Sequence, residues 1–437
     1  MMRKENWRSW KKGTVILFSL LLVASLLLAG CGKTEDQGSA SNNATLGEQK
    51  SESQKSETKT IRVLMGLGEN EWEVMRNDVL PAFESKTGIK VEAIQVEAGD
   101  VANKLEAQIK ANKVEIDLIT QDVNALSGLV ARDLVEDLSA YQSEIPETVI
   151  QGMVDAGTFN GKLLFLPYRP NVEIAYYNEN KYAEYGLQPP KTWDDLLKQA
   201  KFFKEKEGIG RIAIKGNLEG DNVLHIFDFI KSAGGDPYVL NDEGSVRAFE
   251  FLQELWPYLS PDSKKANWNF MNQFIATDSV YLGQNWPFGI NVIVKDGGKK
   301  EIKAYSGWAG PVKESHALGG EVIGIPKGSP NKEAAIEFAK FLMSKDIQEI
   351  LVSKLAWPAV RSDAYGKVEE WQKPYFDAVK NALEKAEPRG NVSYWDDVQK
   401  AILDAFRDVV INGAEVKPTL DKYANQIAEA KTKAGGK

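Results

Sequence analysis

The order of periodic segments predicts an α/β protein. Residues 61–65, 89–96 and 116–119 read as strands, and helical spacing fills 71–83 and 101–111 between them, with short connections. Strand, helix, strand, helix, strand in that rhythm is a βαβαβ unit, which predicts a mainly parallel sheet with right-handed crossovers. No fixed-period repeat interrupts the pattern.

Ahead of that unit, Arg3, Lys4, Arg8, Lys11 and Lys12 precede an apolar run over 15–28. The run is shorter than the about 20 residues a spanning helix needs, and small residues follow it, so 1–30 reads as an export signal. Leu28-Ala29-Gly30-Cys31 resembles the lipobox of bacterial lipoproteins, in which the cysteine becomes an acylated N-terminus. The plainer reading is an ordinary secretory signal with a chance cysteine. Cys31 is the only cysteine, which excludes an intrachain disulfide. Residues 31–58 are polar and offer little to bury, so a flexible tether is expected there.

Within the unit, the first helix presents Trp72, Met75, Val79, Leu80 and Phe83 on one face, and the second spaces Leu105 and Ile109 four apart. A further helical stretch begins at 126–130. The second half is α/β again with more helix. Thr192, with Asp195 three later, opens a helix faced by Leu196, Leu197 and Ala200. Ser329-Pro330 opens another, with proline at its first position and Ala335, Phe338, Ala339 and Leu342 as its buried stripe. From Val398 onward the pattern is helical, broken at Asn412-Gly413 and Pro418.

Composition excludes several functions. At 437 residues the chain has room for two domains, and its net charge of −8, which includes the basic leader, argues against nucleic acid. Two histidines, His225 and His316, build no metal set at normal spacing. No GxSxG elbow is present. Gly157 to Lys162 imitates a phosphate loop but is one residue short and has Leu163 where Ser or Thr belongs, so a hairpin turn is expected. Asp194-Asp195 and Asp396-Asp397 are adjacent on helices and do not face each other, so they read as caps or solvated faces. No cofactor or metal is expected.

Five segments together resemble the extracellular solute-binding proteins of bacterial carbohydrate ABC transporters, the maltose-binding type. They are Ile116 to Asp122 with Leu129 to Leu138; Gly161 to Asn178 with Gly186 to Leu196; Phe274 to Trp286; Gly319 to Pro326 with the helix after Ser329; and Trp357 to Arg361. One departure is Ala276-Thr277-Asp278, where the family usually has Gly-Lys-Ala. The likeness spans about Lys59 to Ala430. It implies a two-lobed, type II periplasmic-binding-protein-like fold with a hinge and a central ligand cleft. The expected division is 59–168 with 308–344 as one lobe, and 169–307 with 345–437 as the other.

A sugar presents hydroxyl edges and apolar C–H faces, so its site needs planar donors and acceptors beside aromatic platforms. The loops after the first and third strands lie where an open α/β sheet holds ligand, which makes Glu69, Asn70, Gln121 and Asp122 candidates; helix capping is their plainer role. Tyr168, Arg169 and Asn171 sit at the first crossing between lobes, where a structural ion pair is the alternative for Arg169. Trp286, preceded by Asn285 and stiffened by Pro287, is the expected stacking platform. Trp308, Trp357 and Trp395 are further aromatic candidates against plain core roles. Glu321 follows two glycines that let backbone approach a ligand. By the resemblance, Asn217, Glu219, Asp221 and Asn222 form a polar loop facing the cleft.

The resemblance implies a monomeric receptor outside the cytoplasm, held to the membrane by its lipid, which captures a carbohydrate by hinge closure and passes it to a permease without breaking a bond. The alternatives are the same fold binding a polyamine, peptide or oxoanion, a sensor subunit, or a secreted polysaccharide-cleaving enzyme.

Overall fold

A computed structural model describes residues 59–218, 222–389 and 392–435. The expected signal, the tether and Cys31 lie outside them. Among the described residues, no helix is long and apolar enough to cross a membrane.

Two sheets organise the chain. The strands are β1 (Thr60–Met65), β2 (Lys90–Gln95), β3 (Leu118–Asp122), β4 (Thr158–Phe159), β5 (Lys162–Leu163), β6 (Phe165–Asn171), β7 (Ile174–Asn178), β8 (Ile212–Ala213), β9 (Leu282–Asn285), β10 (Ile302–Tyr305), β11 (His316–Gly324) and β12 (Ala386–Pro388). The first sheet runs β12-β11-β3-β1-β2, with β6 also paired to β11. The second runs β10-β7-β9-β8. The βαβαβ unit is parallel as expected: β1 pairs with both β2 and β3, Val63 opposite Leu118 and Leu64 opposite Ile119. Beyond it the sheets are mixed rather than mainly parallel: β11 is parallel to β12 and β8 to β9. β11 runs antiparallel to β3 and β6, and β7 antiparallel to β9 and β10.

Two buried clusters hold the chain: one joins the first sheet to Ile174, Tyr176, Ala213 and Ile302 of the second, and the other packs on Ala175, Ile212 and Leu282. Phe83, Phe165 and Phe338 are fully buried with the first, the Phe83 and Phe338 rings 4.9 Å apart. Burying one such ring contributes about 1.5–3 kcal/mol. Beside the second sheet, Trp193 stacks on Phe251 at 4.3 Å, and Val398, Ile402 and Phe406 form the buried stripe of Trp395–Phe406, which packs on Val416–Lys433. The chain crosses between sheets at Val172-Glu173, between β6 and β7, and again along β11.

Local signals held where chemistry was specific. Thr192 and Asp195 form the expected capping box. Asn160 and Gly161, both at positive φ, make the hairpin turn between β4 and β5 that replaces any phosphate loop. Three helix expectations need correction. The helix expected over 71–83 contains a wide turn at Met75–Val79, where Leu80 N–H reaches back to Met75 O just before Pro81, which has no N–H to give. The helix expected from Pro330 starts at Lys332, after Asn331, whose side chain makes no capping bond. Pro418 breaks nothing: it falls in the first turn of Val416–Lys433, where a missing N–H costs no intrahelical bond. The helix Lys345–Leu355, expected in the second lobe, packs on Glu69–Val74 and Lys332–Leu342, beside the first sheet.

Candidate functional site

The carboxyl ends of β1, β2 and β3 open a cavity of about 280 Å³. Gln95, Thr120, Gln121, Asp122 and Glu321 line it, at the crevice an open α/β sheet offers a ligand. Gln121 is buried and donates through Nε2 to Ala98 O at 3.0 Å, while its Oε1 has no partner. The Thr120 hydroxyl is buried and unpaired too. Asp122 accepts the Asn124 N–H at 2.7 Å, so it caps its turn and still faces the cavity.

Glu321 stands between Asp122 on β3 and Arg169 on β6 in strand register. Its Oε1 lies 3.1 Å from Arg169 Nη2, and its Oε2 is buried without a partner. Burial pushes the Glu321 carboxyl up, and Arg169 opposes that shift. Arg169 also reaches Glu71 Oε1 at 3.3 Å and lies 3.9 Å from the Trp357 ring centroid. Trp357 Nε1 donates to the same Glu71 oxygen at 2.9 Å. Arg169 is therefore clamped by two carboxylates and an indole face. The glycines before Glu321 make this geometry possible: Gly320 has φ 117°, and a Cβ there would sit 2.0 Å from Arg169 O.

A larger cavity, about 530 Å³, opens between residues from both sheets. Asn70, Glu71, Arg169, Asn171 and Trp357 face Trp268, Phe288, Asn291 and Val292 across it. Trp268 and Val292 are exposed, and Trp268 meets Phe288 edge to face at 5.8 Å. Arg169 and Glu321, the pair between these two cavities, line one each.

Trp286 follows β9 and lies against the second crossing: a Cβ on Gly319 would be 3.1 Å from its ring. The Lys215 ammonium sits 5.1 Å from its ring centroid. Lys215 is itself buried and pairs with Glu173, the residue at the first crossing, whose other oxygen lies 3.1 Å from His225 Nδ1. Burial would raise the Glu173 carboxyl, but Lys215 and His225 outweigh it and hold it at about 2. Asp228, one turn after His225, accepts the Ala317 N–H on β11. One helix, Val223–Ser232, thus ties down both crossings through buried polar groups.

Several expected residues have other work. Asn285 is fully buried and anchors the loop by donating to Trp268 O at 2.7 Å and Asn272 Oδ1 at 2.6 Å, while its own Oδ1 has no partner. Trp308 belongs to the second core. Tyr168 is fully buried, its ring edge-on to Trp357 and its hydroxyl unpaired. Glu69 is exposed and pairs with Arg76 at 3.4 Å, outside both cavities. Asn222 is buried and donates to Asn217 O. Asn171 accepts its neighbour's N–H at 3.2 Å and still lines the larger cavity. Trp395 is buried under Arg389 in a separate recess. Glu219 and Asp221 lie outside the described residues. Sequence reading passed over Glu71, Trp268, Phe288 and Arg389. Of these, only Arg389, a lone arginine between Pro388 and Gly390, carried a visible signal.

Two α/β halves joined by crossing strands, with the larger cavity walled by both, define a bilobal binding protein. The chain belongs to the bacterial extracellular solute-binding protein family, whose model matches residues 79–378. That places its work outside the cytoplasm, as a solute-binding component of ABC transport and not an enzyme. It is 25% identical over 289 residues to a probable amino-acid ABC transporter periplasmic-binding protein of Sinorhizobium fredii, covering 61% of this chain and 64% of that one. It is 23% identical over 392 residues to the arabinooligosaccharide-binding protein of Bacillus subtilis, covering 85% and 86%. T. maritima MalE3 with maltose bound superposes with a TM-score of 0.73 at 22% identity, over 85% of this chain and 99% of that one.

Proposed function

We propose that this chain is a lipid-anchored receptor that captures a carbohydrate between its lobes by hinge closure and delivers it to an ABC permease. The observation that carries the reading is the make-up of the larger cavity: indole and phenyl faces from Trp268, Phe288 and Trp357 beside the amides of Asn70, Asn171 and Asn291. Apolar faces interleaved with planar donors and acceptors match the two aspects of a pyranose ring. The unpaired Thr120 Oγ1, Gln121 Oε1 and Glu321 Oε2 offer further partners for hydroxyls. Names among the relatives support the same class, and Leu28 to Cys31 supports the anchor.

Ligand favours the closed form because only there do both lobes touch it. Closure excludes water, so each hydroxyl left without a protein partner costs about 1–3 kcal/mol, and selectivity follows. A polyamine site would need converging acids free of cations; Glu71 and Glu321 are engaged by Arg169, and Asp122 and Asp296 lie one in each cavity. The test is titration calorimetry of the full-length chain with oligosaccharides, with the recovered sugar analysed afterwards. One equivalent bound and returned intact supports a receptor; shortened product would point to turnover.

A further inference from the structure

Arg389 is a buried charge without a partner. It directly follows β12, and only 7% of it is exposed. Its Nε, Nη1 and Nη2 are all buried and none has a hydrogen-bond partner. The guanidinium lies 5.2 Å from the Trp395 ring centroid, and the indole N–H of Trp395 is also buried and unpaired. Every other buried cation in this region is matched: Arg169 by Glu71 and Glu321, Lys215 by Glu173.

The location ties this cation to the binding site. Val123 and Asn124 wall the recess that holds Arg389, and Asp122, the residue before them, lines the cavity at the sheet's carboxyl ends. The recess itself has room for only about 20 Å³, so the group that completes it is small. Asp122 is near enough to act on Arg389 electrostatically yet makes no ion pair with it.

A guanidinium presents five N–H donors in a planar fork. Burying it with none engaged is costly unless something arrives to pair with it. A sugar hydroxyl offers one oxygen and no charge. A carboxylate offers two oxygens at the spacing of the fork together with the missing negative charge. We propose that Arg389 receives a carboxylate of the solute, so that the captured sugar is an acidic saccharide of the uronic-acid type. This rests on the carbohydrate reading above and narrows it.

The experiment is titration calorimetry of the full-length chain, in mild detergent, against matched pairs: uronate-containing oligosaccharides and the same compounds with each carboxyl reduced to a primary alcohol. Wild type and Arg389→Gln are compared. The expected result is an acidic member bound at least about tenfold more tightly than its reduced partner, with Arg389→Gln abolishing that preference. Wild type that binds the reduced partner as well or better overturns the inference and leaves the carbohydrate reading intact. A preference that survives in Arg389→Gln overturns it too. Binding of neither kind removes the carbohydrate reading and this inference together. If Arg389→Gln does not fold by circular dichroism, the wild-type ratio for the matched pairs decides alone.

Discussion

Arg169 and Glu321 face each other from neighbouring strands, and their 3.1 Å ion pair forms the wall between the two cavities of the cleft. Glu71 draws the other side of the same guanidinium at 3.3 Å, and Trp357 covers its face. The cluster positions the cleft from its centre, so changes there alter both stability and binding.

Gly320→Ala is the sharpest test of that cluster. Its φ of 117° is closed to other residues, and the new Cβ would lie 2.0 Å from Arg169 O. The strand pairing that aligns Glu321 with Arg169 cannot survive unchanged. Urea denaturation is expected to show a loss above about 3 kcal/mol, beyond the range of an ordinary surface change.

Trp357→Phe keeps an aromatic ring over Arg169 but removes the indole N–H that holds Glu71 at 2.9 Å. A lost hydrogen bond to a charged group costs about 1.5–3 kcal/mol. Urea midpoints should fall accordingly, and ligand affinity should fall with them because Glu71 lines the larger cavity. Unchanged affinity would make this indole purely structural.

Trp286→Ala should lose at least about 1 kcal/mol of ligand affinity, the scale of an aromatic contact. Calorimetry showing no change would take Trp286 out of the site and leave it as a prop for Gly319.

The crossing segments respond to pH in opposite senses. Glu173 titrates at about 2 in the folded chain against 4.5 ordinarily, because Lys215 and His225 outweigh the effect of burial. Its contribution is therefore complete above about 4.5 and drains as pH falls toward 2. Glu173→Gln should cost about 3–5 kcal/mol at pH 7, since it leaves Lys215 buried and unpaired. The variant should then lose less than wild type between pH 6 and pH 3, read by urea midpoints.

Asp228 shows the reverse: burial, reinforced by Glu173, lifts its carboxyl well above the usual value. The folded chain holds that proton longer than the unfolded one, so its contribution is lost as pH rises. Asp228→Asn keeps an acceptor for the Ala317 N–H. It should raise the melting midpoint at pH 8 by a few degrees, with the gain shrinking toward pH 4.

Much of this was legible in sequence because the signals were local. Period-two and helical spacing marked the βαβαβ unit, and Thr192 with Asp195 announced its cap. Gln121, Asp122 and Glu321 were placed by strand ends and by the glycine pair before Glu321. What escaped was set by packing between distant segments. Nothing around Glu71 shows that Arg169, 98 residues later, reaches back to it. Trp268 and Phe288 look like core residues until the opposite half leaves a cavity beside them. Asn285 sits in a site-like motif, but its amide nitrogen is taken by Asn272 and Trp268 O, which the sequence does not reveal. The wide turn at Met75–Val79 lies just before Pro81, a residue that apolar spacing alone takes no account of.

The measurement that bears most directly on the account is thermal melting of the full-length chain against mono- and oligosaccharides, uronates, polyamines and amino acids. A solute that binds only the native state raises the midpoint by mass action. The account predicts a raised midpoint with one group of saccharides and with no amine or amino acid. A raised midpoint with a polyamine or amino acid, and none with any sugar, would contradict it and leave a bilobal receptor for a charged solute.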